Sequence, residues 1–177
     1  MRATADSTST RTSTATSTRT EARADGMRCV VVASRFNGEI VEKLVEGALH
    51  ALEVRGAKRS KQTVVWVPGA LEIPAVVKAL VTKKGKRPDA VVCVGCVIKG
   101  GTDHYEHVCR ATTDGIMQVA LDAIAGGKGP VVTNGVLTVA SEQQARDRAG
   151  GTVGNKGTEA ALAAIETHAV LRGIGSV

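Results

Sequence analysis

The feature that most constrains this chain is the uninterrupted apolar run from Ala90 to Ile98, which breaks abruptly into Lys99, Gly100, Gly101, Thr102, Asp103 and His104. A run this short and this rich in β-branched residues reads as a strand buried on both faces. Beyond the break, Tyr105, Val108, Cys109, Thr112, Ile116, Val119, Ala120 and Ala123 are spaced by threes and fours, which predicts a helix. Glycines let a backbone approach a ligand closely, and the free amides at a helix N-terminus, with the positive end of its dipole, suit a phosphate. His104 then stands in the first helical turn with the one side chain that titrates near neutrality. Two readings of it fit the sequence: a general acid/base, or a first-turn histidine satisfied by the fold.

The same alternation runs through the chain. Strands are predicted at 28–34, 62–67, 89–98 and 131–139. The first is followed by a helix carrying Ile40, Val41, Leu44, Val45, Ala48, Leu49 and Leu52 that stops at Gly56, and the second by one carrying Ile73, Val76, Val77, Leu80 and Val81. Ser141 with Gln144 resembles a capping box that opens a short helix ending at Gly150, and a last helix is expected from Lys156 to Leu171. Regular strand-helix alternation implies a parallel sheet with helices on both faces, and in such sheets ligands bind beyond the carboxyl ends of the strands.

That rule gathers Ser34-Arg35-Phe36-Asn37-Gly38, Pro68-Gly69-Ala70-Leu71-Glu72 and Lys99 to His104 on one rim. Phe36 is the only phenylalanine and lies outside any periodic apolar face. It reads either as core filling or as a flat ring for stacking on a planar heterocycle. Glu72, at a helix start, either complements the dipole or offers a carboxylate to ligand hydroxyls.

Composition narrows the class. The 177 residues suit one domain, expected over residues 27–177. Residues 1–20 are mostly Thr and Ser with Arg2, Arg11 and Arg19, and Asp6 is their only acid. Such a stretch lacks the apolar surface to order itself, so residues 1–26 are expected to stay outside the core. Their composition fits a transit peptide, hence a plastid (chloroplast) destination, or a solubilising tail. Nothing approaches the ~20 apolar residues of a membrane helix, so a soluble protein without membrane contacts is expected.

Cys93 and Cys96 form a C-x-x-C inside the apolar run without a second pair, so all four cysteines, with Cys29 and Cys109, read as small side chains rather than metal or redox groups. The net charge of +6 comes partly from Lys58, Arg59 and Lys61 and from Lys83, Lys84, Lys86 and Arg87, both after predicted helices, where cations suit the C-terminal dipole. Three aromatics, Phe36, Trp66 and Tyr105, are too few for a nucleic-acid stacking platform, and no nucleic-acid partner is expected.

Four segments taken in order carry a family resemblance. They are Ser34-Arg35-Phe36-Asn37, Pro68-Gly69-Ala70-Leu71-Glu72-Ile73-Pro74, Gly95 to Tyr105, and Arg148-Ala149-Gly150 with Gly154-Asn155-Lys156-Gly157. Over about Met27 to Arg172 the chain resembles the 6,7-dimethyl-8-ribityllumazine synthases of riboflavin biosynthesis. The resemblance implies a flavodoxin-like three-layer α/β/α sandwich on a four-stranded parallel sheet. It also implies condensation of 5-amino-6-(D-ribitylamino)uracil with 3,4-dihydroxy-2-butanone 4-phosphate, without cofactor or metal, at sites between neighbouring subunits. On that basis Phe36 stacks on the pyrimidine, Ala70, Leu71 and Glu72 hold the ribityl chain and ring, and Cys96, Val97 and Ile98 line the floor. Gly101 and Thr102 bind the phosphate with Arg148 of the neighbour, Lys156 of the neighbour reaches the pyrimidine carbonyl, and His104 moves protons. His107, one turn further, is read as surface. The short connection from Gly150 to Gly157 lacks the insertion of family members that stop at pentamers, which implies pentamers assembled into a sixty-subunit shell.

One position departs from the family. Where an aromatic usually precedes the glycine of the fourth strand, this chain has Val132-Thr133-Asn134-Gly135, so Asn134 takes the wall beside the neighbour's heterocycle with less area and two hydrogen-bonding groups. Cys96 and Asp103 also stand where threonine is common. The competing readings are a noncatalytic flavin or nucleotide-binding module on the same fold, and a shell protein with a decayed site. The single hydroxyl and single glycine after the first strand disfavour the former, and the presence of His104, Arg148 and Lys156 disfavours the latter.

Overall fold

A computed structural model describes residues 21–174 except 126 and 128. Of the segment read as a transit peptide, residues 1–26, the first twenty fall outside the described residues. Four strands, β1 (Cys29–Ser34), β2 (Gln62–Val67), β3 (Ala90–Ile98) and β4 (Val131–Val139), form one sheet in the order β2-β1-β3-β4, with every pairing parallel. Five helices, α1 (Gly38–Val54), α2 (Ile73–Thr82), α3 (His104–Ile124), α4 (Glu142–Arg148) and α5 (Lys156–Ile174), fill the connections. α1 and α5 pack together on one side of the sheet, α2 and α3 on the other. The architecture is thus the expected three-layer α/β/α sandwich.

Strand alternation explains the two cores. Val31 and Ala33 of β1, with Ala90, Val92, Val94 and Cys96 of β3, point toward α1 and α5. Val32, Val91 and Cys93 point toward α2 and α3. Because both faces of β3 are covered, its sequence has no polar alternation, which is why it reads as a continuous apolar run. Full burial of side chains such as Val31, Val92, Leu44 and Leu52 contributes roughly 1.5–3 kcal/mol each. Gly95 interrupts the valines because a Cβ there would lie 2.8 Å from the Ser34 hydroxyl, itself fully buried.

The predicted element boundaries hold closely, with two differences. The packed chain begins earlier than residue 27. Ala24 is fully buried, its amide donates to the Arg55 carbonyl at 2.8 Å, and Glu21 pairs with Arg55 at 3.0 Å. Residues 1–26 are therefore not wholly outside the core, a contribution that one small side chain in a polar stretch does not signal. The second difference is a two-stranded antiparallel hairpin, β5 (Ala149–Gly151) with β6 (Gly154–Asn155), in the segment read as a loop. Among the described residues no helix is long and apolar enough to cross a membrane.

Candidate active site

The sheet order reverses direction between β1 and β3: the chain leaves β1 for β2 on one side and returns to β3 on the other. Loops leaving two such strands diverge and open a crevice at their carboxyl ends. The loop after β1 is tied across that crevice. Asn37 adopts a left-handed conformation, φ 59°, and its Nδ2 donates to the Cys96 carbonyl at 2.9 Å. The Arg35 and Phe36 amides donate to the carbonyls of Val67 and Pro68, at 2.8 and 3.2 Å. With its backbone held on both sides, Phe36 projects its ring outward at 72% exposure. The core-filling reading of Phe36 is thereby corrected: the ring belongs to neither packed face of the sheet.

The turn after β2 carries the second group. Residues 70–72 make one 3₁₀ turn before α2, and Glu72 Oε2 accepts from the Gly69 amide at 2.8 Å. Glu72 thus ties its own loop. Ala70 is buried beneath the turn and Leu71 is half exposed above it. This turn packs against α3, the helix that begins at His104.

The third group ends β3. Cys96 is buried, while Val97 and Ile98 become partly accessible where the strand leaves the core. The Lys99 amide donates to the Val139 carbonyl at 2.9 Å, fixing the exit. Gly101, Thr102 and His104 are exposed at the start of α3. Free amides at a helix start are groups that suit an anion. His107 is exposed too, as expected of a surface residue.

Asn134, Arg148 and Lys156 lie elsewhere. Asn134 sits level with Cys93 of β3, five residues before β4 ends, so it is about 16 Å back along the strand from the rim. It lines a cavity of about 330 Å³ with Lys156 and Glu159. Lys156 Nζ donates to both Glu159 oxygens, at 2.8 and 2.7 Å. The side-chain oxygen of Asn134 accepts from the Val136 amide at 2.9 Å, which orients the carboxamide. Arg148 ends α4 and Lys156 begins α5, and the pairing of Ala149 with Asn155 brings their two backbone positions to the same end of the β5–β6 hairpin.

Asn155 holds this arrangement and had no assigned role from sequence. Its side-chain oxygen accepts from the Gly157 and Thr158 amides, at 2.9 and 3.1 Å, capping α5. Its Nδ2 donates to the Lys43 carbonyl of α1 at 2.8 Å. The close crossing requires glycines. A Cβ on Gly157 would lie 1.9 Å from the Leu44 carbonyl oxygen, and one on Gly47 would lie 2.5 Å from the Asn155 side chain. An asparagine followed two residues later by a glycine, at the start of a predicted helix, was the local signal available.

The matched segments therefore lie on the sheet rim and on the hairpin that leads into α5, in the order the resemblance requires. Residues 26–172 match the family model of 6,7-dimethyl-8-ribityllumazine synthase. The chain belongs to that family. Membership supports a transferase-type activity in riboflavin biosynthesis for this lumazine synthase family member, and it covers every described element from β1 to the larger part of α5.

The thiols in this family member sit in ordinary protein surroundings. Burial pushes Cys93 up to about 12 and Cys96 up to about 11, so both remain protonated near neutrality. Such thiols pack and do not attack.

Proposed function

We propose that the chain is a 6,7-dimethyl-8-ribityllumazine synthase that condenses 5-amino-6-(D-ribitylamino)uracil with 3,4-dihydroxy-2-butanone 4-phosphate, releasing phosphate and water. The observation that carries the reading is the division of the motif residues between the rim and a second group on β4 and at the two ends of the β5–β6 hairpin. Phe36, Ala70, Leu71, Glu72, Cys96, Val97, Ile98, Gly101, Thr102 and His104 occupy the rim of one copy, and Asn134, Arg148 and Lys156 complete the site from a neighbour. The functional unit is then a homo-oligomer.

Each chemical step moves a proton. The aromatic amine adds to the ketone and water leaves to give an imine. Phosphate then departs with the C–O electron pair as a carbon-bound proton is lost, and the second amine closes the ring with loss of another water. Atoms and charges balance without an electron carrier. His104 is the group that takes and returns protons. Gly101, Thr102 and Arg148 hold the phosphate through its departure, because a guanidinium grips two phosphate oxygens at once. Phe36 and Glu72 orient the ribitylaminouracil, and holding both substrates in one geometry supplies much of the acceleration. Mixing purified protein with both substrates and following lumazine absorbance tests the assignment; no product above the uncatalysed rate overturns it.

Assembly follows from the shared site. With the short β5–β6 connection, pentamers are expected to close into a sixty-subunit shell. Light scattering at neutral pH should report a particle far larger than a pentamer. A stable lone pentamer overturns the loop argument, and an active monomer overturns the shared site.

Residues 1–20 are assigned as a plastid-targeting segment outside the catalytic domain, on their composition. Deleting them should leave turnover unchanged, and the cut must stop short of Ala24, which belongs to the core. A full-length reporter fusion that stays in the cytosol overturns the targeting assignment.

Asn134 gives a graded expectation. The carboxamide, oriented by the bond from the Val136 amide to its oxygen, offers the heterocycle polar groups and little apolar area. An aromatic contact is worth roughly 0.5–1.5 kcal/mol beyond area burial. Asn134→Phe should therefore lower the KM for the ribitylaminouracil several-fold with kcat little changed, since about 1.4 kcal/mol is tenfold and the ring contacts ground and transition states alike. A raised KM in both Asn134→Phe and Asn134→Ala would show instead that the NH₂ group makes a specific hydrogen bond.

A further inference from the structure

Two hydroxyls inside the molecule stand unpaired. Ser34 and Thr112 are both fully buried, and neither side-chain oxygen has a hydrogen-bond partner among the described residues. A hydroxyl in apolar surroundings is destabilising unless it is hydrogen-bonded, so native cores rarely keep one without a protein group or a water beside it. Thr112 is the sharper case. A threonine within a helix commonly returns its hydroxyl to a carbonyl one turn back, and Thr112 does not.

Both hydroxyls lie on the same side of the sheet, near the start of α2. Ser34 follows Val32 by two residues in β1, so the two side chains point alike toward α2 and α3. Thr112 precedes Ile116 by one turn on the buried stripe of α3. Ile73 and the Ser34 hydroxyl flank Gly95, where a Cβ would lie 3.5 Å from Ile73 Cδ1 and 2.8 Å from Ser34 Oγ. The next residue of α2, Pro74, touches the other hydroxyl's neighbourhood: its Cγ lies 2.8 Å from where a Cβ on Gly115 would stand, and Gly115 is one turn beyond Thr112. Glycine at position 95 keeps side-chain volume open beside Ser34, in a layer otherwise lined by valine and isoleucine.

We propose that Ser34 and Thr112 share one buried water, and that this joint makes them positioning residues of the reaction site. A buried water is held by about two to four polar partners, and each hydroxyl can donate to it or accept from it. The two anchors lead to groups assigned to the reaction. Ser34 directly precedes Arg35 and Phe36, and Thr112 lies about two turns into the helix that His104 opens. The turn at 70–72 packs on β1, β3 and α3 alike, so a tie between β1 and α3 beneath it sets the spacing of the Phe36 ring and the His104 imidazole. The positioning role rests on the reaction proposed above; the shared water does not.

A high-resolution crystal structure of the wild-type protein should show one water within hydrogen-bond distance of both oxygens. Ordered side chains without that density overturn the proposal with no variant needed. Melting of Ser34→Ala, Thr112→Val and the double variant gives the energetic counterpart. With a shared water, either single change orphans the other hydroxyl and lowers the melting temperature by about 2–4 °C, whereas the double variant, with both polar groups gone, melts above either single. Hydroxyls that are separately unpaired give the opposite result, each single change raising the melting temperature and the two gains adding. Additive effects of either sign overturn the shared water. Steady-state kinetics well below the melting point tests the positioning role: each single variant should raise the KM for the ribitylaminouracil several-fold. An unchanged KM in both, with the water present, overturns that role. A wild-type protein that forms no lumazine counts against the reaction alone, because the density and the melting cycle do not depend on turnover.

Discussion

Gly157→Ala is expected to lower the melting temperature by roughly 6–12 °C, the shift that about 3 kcal/mol produces in a chain of this size. The added methyl meets the Leu44 carbonyl oxygen at 1.9 Å, and that oxygen is backbone, so neither helix yields by changing a rotamer. α5 must move away from α1, which strains the bonds from Asn155 to Lys43, Gly157 and Thr158. Lys156 is the adjacent residue and moves with them, so the KM for the ribitylaminouracil should rise in the protein that remains folded. Gly173→Ala on the same helix is the control. Among the described residues nothing lies within 4 Å of the new methyl, and an exposed helical glycine gains about 0.5–1 kcal/mol on becoming alanine. A Gly157→Ala protein that melts within a degree of wild type would show that the helix crossing is not as close as described.

His104→Ala is expected to lower kcat by roughly 10- to 100-fold, less than the full span for an acid/base group because both substrates are still oriented. The side chain stands exposed at the first position of α3, beside the exposed amides and hydroxyl of Gly101 and Thr102, where a substrate phosphate would bring the reacting carbons to it. Arg148→Ala should act differently, raising the KM for the butanone phosphate with a smaller change in kcat, because a phosphate grip serves ground and transition states alike. Steady-state kinetics with each substrate varied in turn separates the two. An unchanged rate in His104→Ala together with an unchanged phosphate KM in Arg148→Ala would remove both residues from the site. Because these residues are assigned to different copies, mixed oligomers of the two variants should regain activity in the proportion of sites that receive His104 from one chain and Arg148 from the other.

Much of the fold was legible because its signals are local. The valine-rich run of β3 needs cover on both faces wherever it goes, and the threes and fours of α1 and α3 give each helix one buried stripe. Ser141 indeed caps α4 through the Gln144 amide at 3.3 Å, although the Gln144 side chain returns to the Ala140 amide and not to that of Ser141. The rim was legible for the same reason: each of its segments is the few residues after a strand, and in a parallel sheet all strands end on one side.

What the sequence by itself determined was which residues form strands, which face of each helix is buried, and which loops share a rim. Whether Phe36 is core or surface, which backbone amides Glu72 and Asn134 bind, and why Asn155 and Gly157 stand where they do were decided only by tertiary structure. Asn155 and Lys43 are 112 residues apart in the chain, as Asn37 and Cys96 are 59 apart. No periodicity encodes a hydrogen bond or a helix contact between such distant segments, because it exists only once the two cores have fixed where each backbone runs.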